Sequence, residues 1–196
     1  MNYPQAIYDL IKAFSELPNV GPKTAERYVF HLLKNPNSQL FNLSKNINEL
    51  KTRIKNCSRC KTFTDTDICS ICQNKNRKSD TLCIVENTQD LFSIESTNEF
   101  KGKYFVLGKL INTIEGIMPE NLPIKELSDL ILKEKTKELI IALNFTMEGE
   151  TTSLYLKRLF KDIKVSRLAR GLPLGSDLEY ADSLSLSNAL KYRQSL

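Results

Sequence analysis

The stretch 140-IIALNFTMEGETTS-153 decides how the second half of the chain is read. Residues 140–143 form an apolar run short enough for a buried strand, and a polar turn with Glu148 and Glu150 leads into a helix-forming segment. Carboxylates just beyond the end of a buried strand are a setting in which a divalent cation is held for nucleic-acid chemistry. The two positions where such a centre would want aspartates read Asn144 and Thr146. The stretch is therefore either an active centre or the scaffold of one without its chemistry.

Working outward, the pattern alternates. Residues 81–86 read as a strand, 88–96 as a helix, 103–107 as a strand and 124–133 as a helix. A strand over 138–143, a helix over 150–163 and a last strand over 164–169 follow. Continuous apolar strands between helices argue for an α/β unit, a parallel sheet with helices on both faces. Ligands of such sheets collect beyond the carboxyl ends of the strands. Glu86 and 144-NFT-146 both fall at such ends, so they can meet in one crevice. Cys83, inside 82-LCIVE-86, reads as a small core residue. The chain ends in a helix carrying Leu184, Leu186, Ala189 and Leu190, whose plain reading is that it closes the sheet edge.

Upstream lies 57-CSRCKTFTDTDICSIC-72, where Cys57 and Cys60 form one C-x2-C pair and Cys69 and Cys72 a second, eight residues apart. Two such knuckles suit tetrahedral zinc, and four protein thiolates leave no open position, so the site reads as structural. Disulfides and an iron–sulfur cluster are the alternatives. A segment this short needs its metal to fold.

The first half of the chain is helical in pattern. Residues 4–17 carry Ile7, Leu10, Ile11, Phe14 and Leu17 at helical spacing. In 17-LPNVGPKTAERYVFHLL-33, Gly21 is expected to supply a tight turn and Pro22 to open a second helix. Two helices joined this way make a helix–hairpin–helix. Its second helix would offer free backbone N–H groups to a phosphate, with Lys23 and Arg27 four residues apart beside the turn. Such contacts hold DNA without reading bases; the competing reading is a helical corner with solvated lysines. Asn19 stands where many such hairpins have glycine, and Asn tolerates the left-handed conformation. A third helix is expected over residues 43–55, with Ser44 as N-cap and Leu43, Ile47, Leu50 and Ile54 as its apolar stripe.

Charge agrees with this division. Residues 1–79 hold 13 Lys+Arg against 6 Asp+Glu, whereas residues 80–196 hold 15 against 17. The basic excess sits in the half where an acidic polymer would dock. No apolar run approaches the roughly 20 residues of a membrane span, and no signal-peptide pattern opens the chain, so it reads as cytoplasmic.

The order of 17-LPNVGPKTA-25, the four-cysteine knuckle, 82-LCIVE-86, 144-NFTMEGE-150 and 170-RGLPLGSDLEYAD-182 resembles the RecR family of recombination mediators over essentially the whole chain. The resemblance implies a helix–hairpin–helix domain over residues 1–55, a four-cysteine zinc knuckle over 56–78, a Toprim domain over 79–169 and a C-terminal segment over 170–196. It implies a non-enzymatic DNA-repair protein bound to the nucleoid, acting with RecO and RecF to load RecA on gapped DNA, and a ring-like homo-oligomer, with a tetramer expected. Active Toprim enzymes hold magnesium with a glutamate after the first strand, matched here by Glu86, and an Asp-x-Asp pair, replaced here by Asn144 and Thr146. A neutral amide and a hydroxyl are weak ligands for a hard cation. No catalytic residue is expected, and the alternative is a magnesium-dependent nuclease or topoisomerase-like enzyme. Glu148 and Glu150 then read either as acidic residues suited to a helix N-terminus or as a surface for a basic partner such as RecO.

Overall fold

The computed structural model describes residues 3–169, 171–172 and 175–193. The chain forms two compact units that divide after Ile54.

The first unit is helical: α1 (Gln5–Ser15), α2 (Pro22–Lys34) and α3 (Asn37–Arg53). Helix α1 packs on α2, where Ala25 and Val29 are buried and the rings of Phe14 and Tyr28 meet edge to face at 5.8 Å. The connecting turn departs from the sequence reading in one respect. Asn19, not Gly21, takes the left-handed conformation, with φ of 62°. Gly21 is the N-cap of α2 at φ −78°, which any residue adopts, and a Cβ there would meet nothing within 4 Å. The third helix also starts earlier than expected. Pro36 is its N-cap and Ser44 lies mid-helix, because a proline with no N–H to continue α2 breaks the chain there and opens the next helix. Helix α3 buries no residue, and its stripe remains uncovered, with Ile47 and Leu50 each 61% exposed.

The second unit opens with a two-stranded antiparallel ribbon, β1 (Lys55–Asn56) and β2 (Phe63–Thr64), and a short helix α4 (Ser70–Gln73). The α/β part follows as β3 (Thr81–Val85), α5 (Thr88–Ser96), β4 (Lys103–Val106), α6 (Ile124–Glu134), β5 (Glu138–Ala142), α7 (Met147–Leu159) and β6 (Lys164–Arg167). The sheet is parallel throughout, in the order β4-β3-β5-β6. Alternation along each strand splits the core into two layers. Leu82, Ile84, Phe105, Leu139 and Ile141 face α6 and α7, where Leu127, Leu130 and Leu156 cover them. Cys83, Val85, Tyr104 and Val106 face α5 and its Leu91. Each such side chain contributes about 1.5–3 kcal/mol by burial, so both layers are needed. Cys83 is a core residue as expected, and burial pushes its thiol up to about 12.

The knuckle is fastened to the sheet rather than tethered to it. Ile71 packs against both the cysteine cluster and the α5-side layer. The Val106 N–H donates to the Cys60 carbonyl at 2.9 Å. Arg77 grips Glu95 with two bonds of 2.7 and 2.8 Å and donates to the carbonyls of Gly102 and Phe100. Helix α7 starts three residues before the sequence reading because Thr146 caps it. A last helix, α8 (Ser183–Lys191), is capped by Asp182. Arg170, Pro173 and Leu174 of the 170–182 motif lie outside the described residues. No described helix is long and apolar enough to cross a membrane.

Candidate nucleic-acid interface and metal centre

The hairpin's geometry follows from its turn. Pro22 carries no N–H, and the amides of Thr24 and Ala25 both donate to the Gly21 carbonyl at 3.0 Å. Helix α2 therefore begins with neither a side-chain cap nor an acidic residue in its first turn. The helix dipole places positive potential at that end. Lys23 and Arg27 are exposed there, opposite the buried Ala25 and Val29, and neither forms an ion pair among the described residues. Gly21, Lys23 and Arg27 thus come together as one open, cationic helix start that can accept an anion.

The four cysteines meet in the knuckle, all buried and all unpaired by disulfide. Their sulfur atoms lie within 4.8 Å of one another, and Cys60 Sγ is 3.5 Å from Cys69 Sγ. Sulfurs around tetrahedral zinc at about 2.3 Å stand about 3.8 Å apart, so the set fits the ion. The backbone prepares the ligands: the Cys69 amide donates to Cys57 Sγ at 3.3 Å and the Cys72 amide to Cys69 Sγ at 3.5 Å. Hydrogen bonds from Cys60 and Cys72 lower the Cys69 thiol from its ordinary value. Cys57, Cys60, Cys69 and Cys72 form a structural zinc site, in which the ion would balance thiolate charge and close the knuckle.

The crevice at the carboxyl ends of β3 and β5 brings together some of the expected residues and separates others. Val85 and Ala142 are in register, so Glu86 and Asn144 emerge side by side. Burial raises the Glu86 carboxyl above its ordinary value, the charges of Asp90 and Glu148 raise it further, and a hydrogen bond with the Asn144 side chain opposes them. Thr146 does not turn its hydroxyl to this group. Its Oγ1 accepts from the Gly149 amide at 3.1 Å as the N-cap of α7. Gly149 is required by close approach, since a Cβ there would sit 2.0 Å from the Asn144 carbonyl oxygen. Glu148 and Glu150 lie in the first turn of α7. Glu150 is engaged by Arg167 at 2.5 Å, and that guanidinium stacks 4.4 Å over the Phe145 ring.

Arg167 of this crevice escapes the sequence reading, and Asp90 is expected only in the first turn of the helix over 88–96, where it lies. Asp90 enters it through a capping box, its carboxylate accepting from the Asn87 amide while Asn87 accepts from the Asp90 amide. The spacing of 87-NTQD-90 after a strand is the signal for that box. Arg167 arrives because β6 pairs with β5 in a register that sets Ile141 beside it. A lone arginine at the end of a strand carries no local signal of its partner.

Comparison with known proteins follows the same architecture. A Toprim domain model matches residues 80–169, and RecR family models match residues 7–51 as the helix-hairpin-helix, 54–74 as the four-cysteine zinc finger domain and 171–194 as the C-terminal region. The recombination protein RecR of Natranaerobius thermophilus is 43% identical over 197 residues, covering 100% of this chain and 99% of its own. That of Gloeobacter violaceus is 44% identical over 99% of this chain and 100% of its own. That of Moorella thermoacetica is 44% identical over the full length of both. With hairpin, knuckle, Toprim sheet and C-terminal region matched in the same order, the chain belongs to the RecR family.

Proposed function

We propose that this chain is a non-catalytic, DNA-binding mediator of recombinational repair that works with RecO and RecF to load RecA onto gapped DNA. The observation that carries the non-catalytic part is the crevice chemistry. Asn144 is engaged with Glu86, and the Thr146 hydroxyl is engaged in starting α7. At the three Toprim positions a magnesium ion would meet one carboxylate, Glu86, where an active centre offers three, and neutral ligands do not offset its dehydration. The zinc ion is structural in this reading and takes no part in chemistry.

DNA binding is assigned to Gly21, Lys23 and Arg27. The absent Cβ at Gly21 serves neither backbone conformation nor internal packing, and it leaves the uncapped start of α2 open to a phosphate. Contacts of this kind are independent of sequence and suit single- and double-stranded DNA alike. One hairpin binds weakly, and a ring-like tetramer would multiply the contacts through effective concentration; the uncovered stripe of α3 supports such assembly. The protein would act in the cytoplasm on the nucleoid.

Glu148 is the better candidate for a basic partner such as RecO, because Glu150 already has Arg167. The competing role is stabilisation of α7 by acidic residues, worth at most about 1 kcal/mol each. A pull-down separates them: Glu148→Lys should weaken RecO capture with the fold intact, and unchanged capture removes this surface from the proposal. The test of the function as a whole is RecA nucleation on gapped DNA coated with single-strand-binding protein. Acceleration that requires RecO is expected. Magnesium-dependent cleavage or relaxation of DNA by the purified chain would overturn the non-enzymatic reading.

A further inference from the structure

A second candidate DNA contact lies away from the hairpin, in the cleft of about 680 Å³ between the knuckle ribbon and the carboxyl end of β4. Its size is that of a small-molecule site, and its walls mix polar side chains with Val106, Leu107, Leu122 and Pro123 and carry one aromatic ring. Phe63 of β2 is that ring, 54% exposed. Its backbone is fixed twice: it pairs with Asn56 in the ribbon, and its amide donates to the buried Thr88 Oγ1 at 3.2 Å. An exposed aromatic side chain on so constrained a backbone loses little freedom when something stacks on it.

The polar groups around the ring are one-sided. Asn87 uses its side-chain oxygen to accept from the Asp90 amide at 2.9 Å, and Asn121 uses its own to accept from the Met118 amide at 2.8 Å. Each amide is thereby oriented, and its NH2 group is what remains for a ligand. The charges nearly cancel. Lys61 is tied to Glu126 at 3.4 Å, and Lys109 faces Glu120 across the same cleft. A bare phosphate is therefore poorly served here, whereas a flat ligand rich in carbonyl and ring-nitrogen acceptors is well served. The surroundings favour a polyanion: residues 55–78 hold six Lys and Arg against two Asp, and a zinc tetrathiolate of charge −2 leaves the module positive.

We propose that this cleft takes an unstacked nucleobase of single-stranded DNA, with Phe63 as the stacking platform, Asn87 and Asn121 as donors to the base edge, and Lys109 beside the adjoining phosphate. The proposal rests on the DNA-binding reading above and adds a site that distinguishes single strands from duplex. Stacking on an aromatic side chain tolerates any base, and it depends little on salt, unlike the phosphate contacts of the hairpin.

The chain has no tryptophan, so Phe63→Trp in the zinc-loaded full-length protein places one fluorophore at the platform. Titration with oligothymidylate should quench it saturably, and the quench should persist in the Lys23→Ala, Arg27→Ala background at higher oligonucleotide concentration. Phe63→Ala should weaken oligothymidylate binding about tenfold, leave zinc content unchanged and leave duplex binding unchanged. An unquenched signal while the anisotropy of labelled oligonucleotide reports binding overturns the cleft and leaves the hairpin reading standing. Quenching by RecO without DNA would reassign the cleft to a protein. Absence of binding to any DNA by the native chain would overturn both readings together.

Discussion

Helices α2 and α7 both begin after a short turn at a position where the sequence suggests a ligand, and they treat that position in opposite ways. At α2 the N-cap is Gly21, with no side chain to turn inward, no acid in the first turn and two exposed cations nearby. At α7 the N-cap is Thr146, which accepts from Gly149, and Glu148 and Glu150 sit in the first turn. A helix start carries unpaired N–H groups and positive potential in either case. At α7 the chain supplies both a side-chain cap and acidic residues, and at α2 it supplies neither. A helix N-terminus is thus available to a ligand only where its own sequence has not already filled it.

Zinc removal is the strongest test of whether these two regions stand apart. Apparent zinc affinities of small Cys-rich modules are about 10–16 kcal/mol, so chelation should melt the knuckle and lower the thermal midpoint of the unit that carries α7. The α1–α2 pair belongs to the other compact unit, and its amides should keep their hydrogen-exchange protection. Equal loss of protection in both units would mean that they fold as one.

A pair of glycine substitutions gives the next largest effect. Gly149→Ala forces a Cβ to within 2.0 Å of the Asn144 carbonyl, and overpacking of this kind costs about 3 kcal/mol. Urea denaturation should show that loss, with DNA affinity unchanged in the folded fraction. Gly21→Ala meets no atom within 4 Å and needs no unusual φ, so stability should move by only about 0.5 kcal/mol. Its DNA affinity should fall, because the new methyl narrows the space through which a phosphate would approach the start of α2. The reverse pattern, stability lost at Gly21 and binding lost at Gly149, would break the comparison.

On the proposed reading, Lys23→Ala with Arg27→Ala removes two phosphate contacts. The slope of log affinity against log salt should shrink by about two, with little change in stability, since both side chains are exposed. An unchanged slope in anisotropy titrations would move the DNA surface off the hairpin.

Much of this division is legible in the sequence, and the exceptions have a common cause. The cysteine spacing, the Pro22 helix start and the apolar runs 82-LCIV-85 and 138-ELIIA-142 are local signals, and the structure places their elements where those signals fall. Gly21 has a different role from the one its neighbours suggest: a glycine beside a proline points to a strained turn, whereas the left-handed residue is Asn19, two positions earlier. The start of α3 is less legible, because Pro36 rather than a polar cap begins the helix, although Leu40, three residues before Leu43, carries the apolar stripe back towards it. The Arg167–Glu150 pair depends on sheet register, which brings together residues that no local pattern links, whereas the approach of Asp90 to Glu86 follows from the capping box of 87-NTQD-90.

The smallest effect tests the closed side of the comparison. The Glu86 carboxyl lies above its ordinary value, through burial first and then through Asp90 and Glu148, with Asn144 opposing the rise. The folded state therefore holds the Glu86 proton more tightly than the unfolded chain does. Its contribution to stability is greatest below the unfolded-state pKa, about 4.3, and is lost as pH rises through the folded value. Glu86→Gln should flatten that part of the stability profile and make the protein slightly more stable at neutral pH. Asn144→Asp acts the other way: it exchanges the one group that opposes the rise for another carboxylate, so Glu86 should move further up and the slope should steepen. Millimolar magnesium should raise the thermal midpoint of the Asn144→Asp, Thr146→Asp protein, because all three Toprim positions then carry carboxylates, and should leave the native chain unmoved. A native chain stabilised by magnesium as strongly as the double variant would mean that an amide and a helix cap had not closed the crevice to the ion.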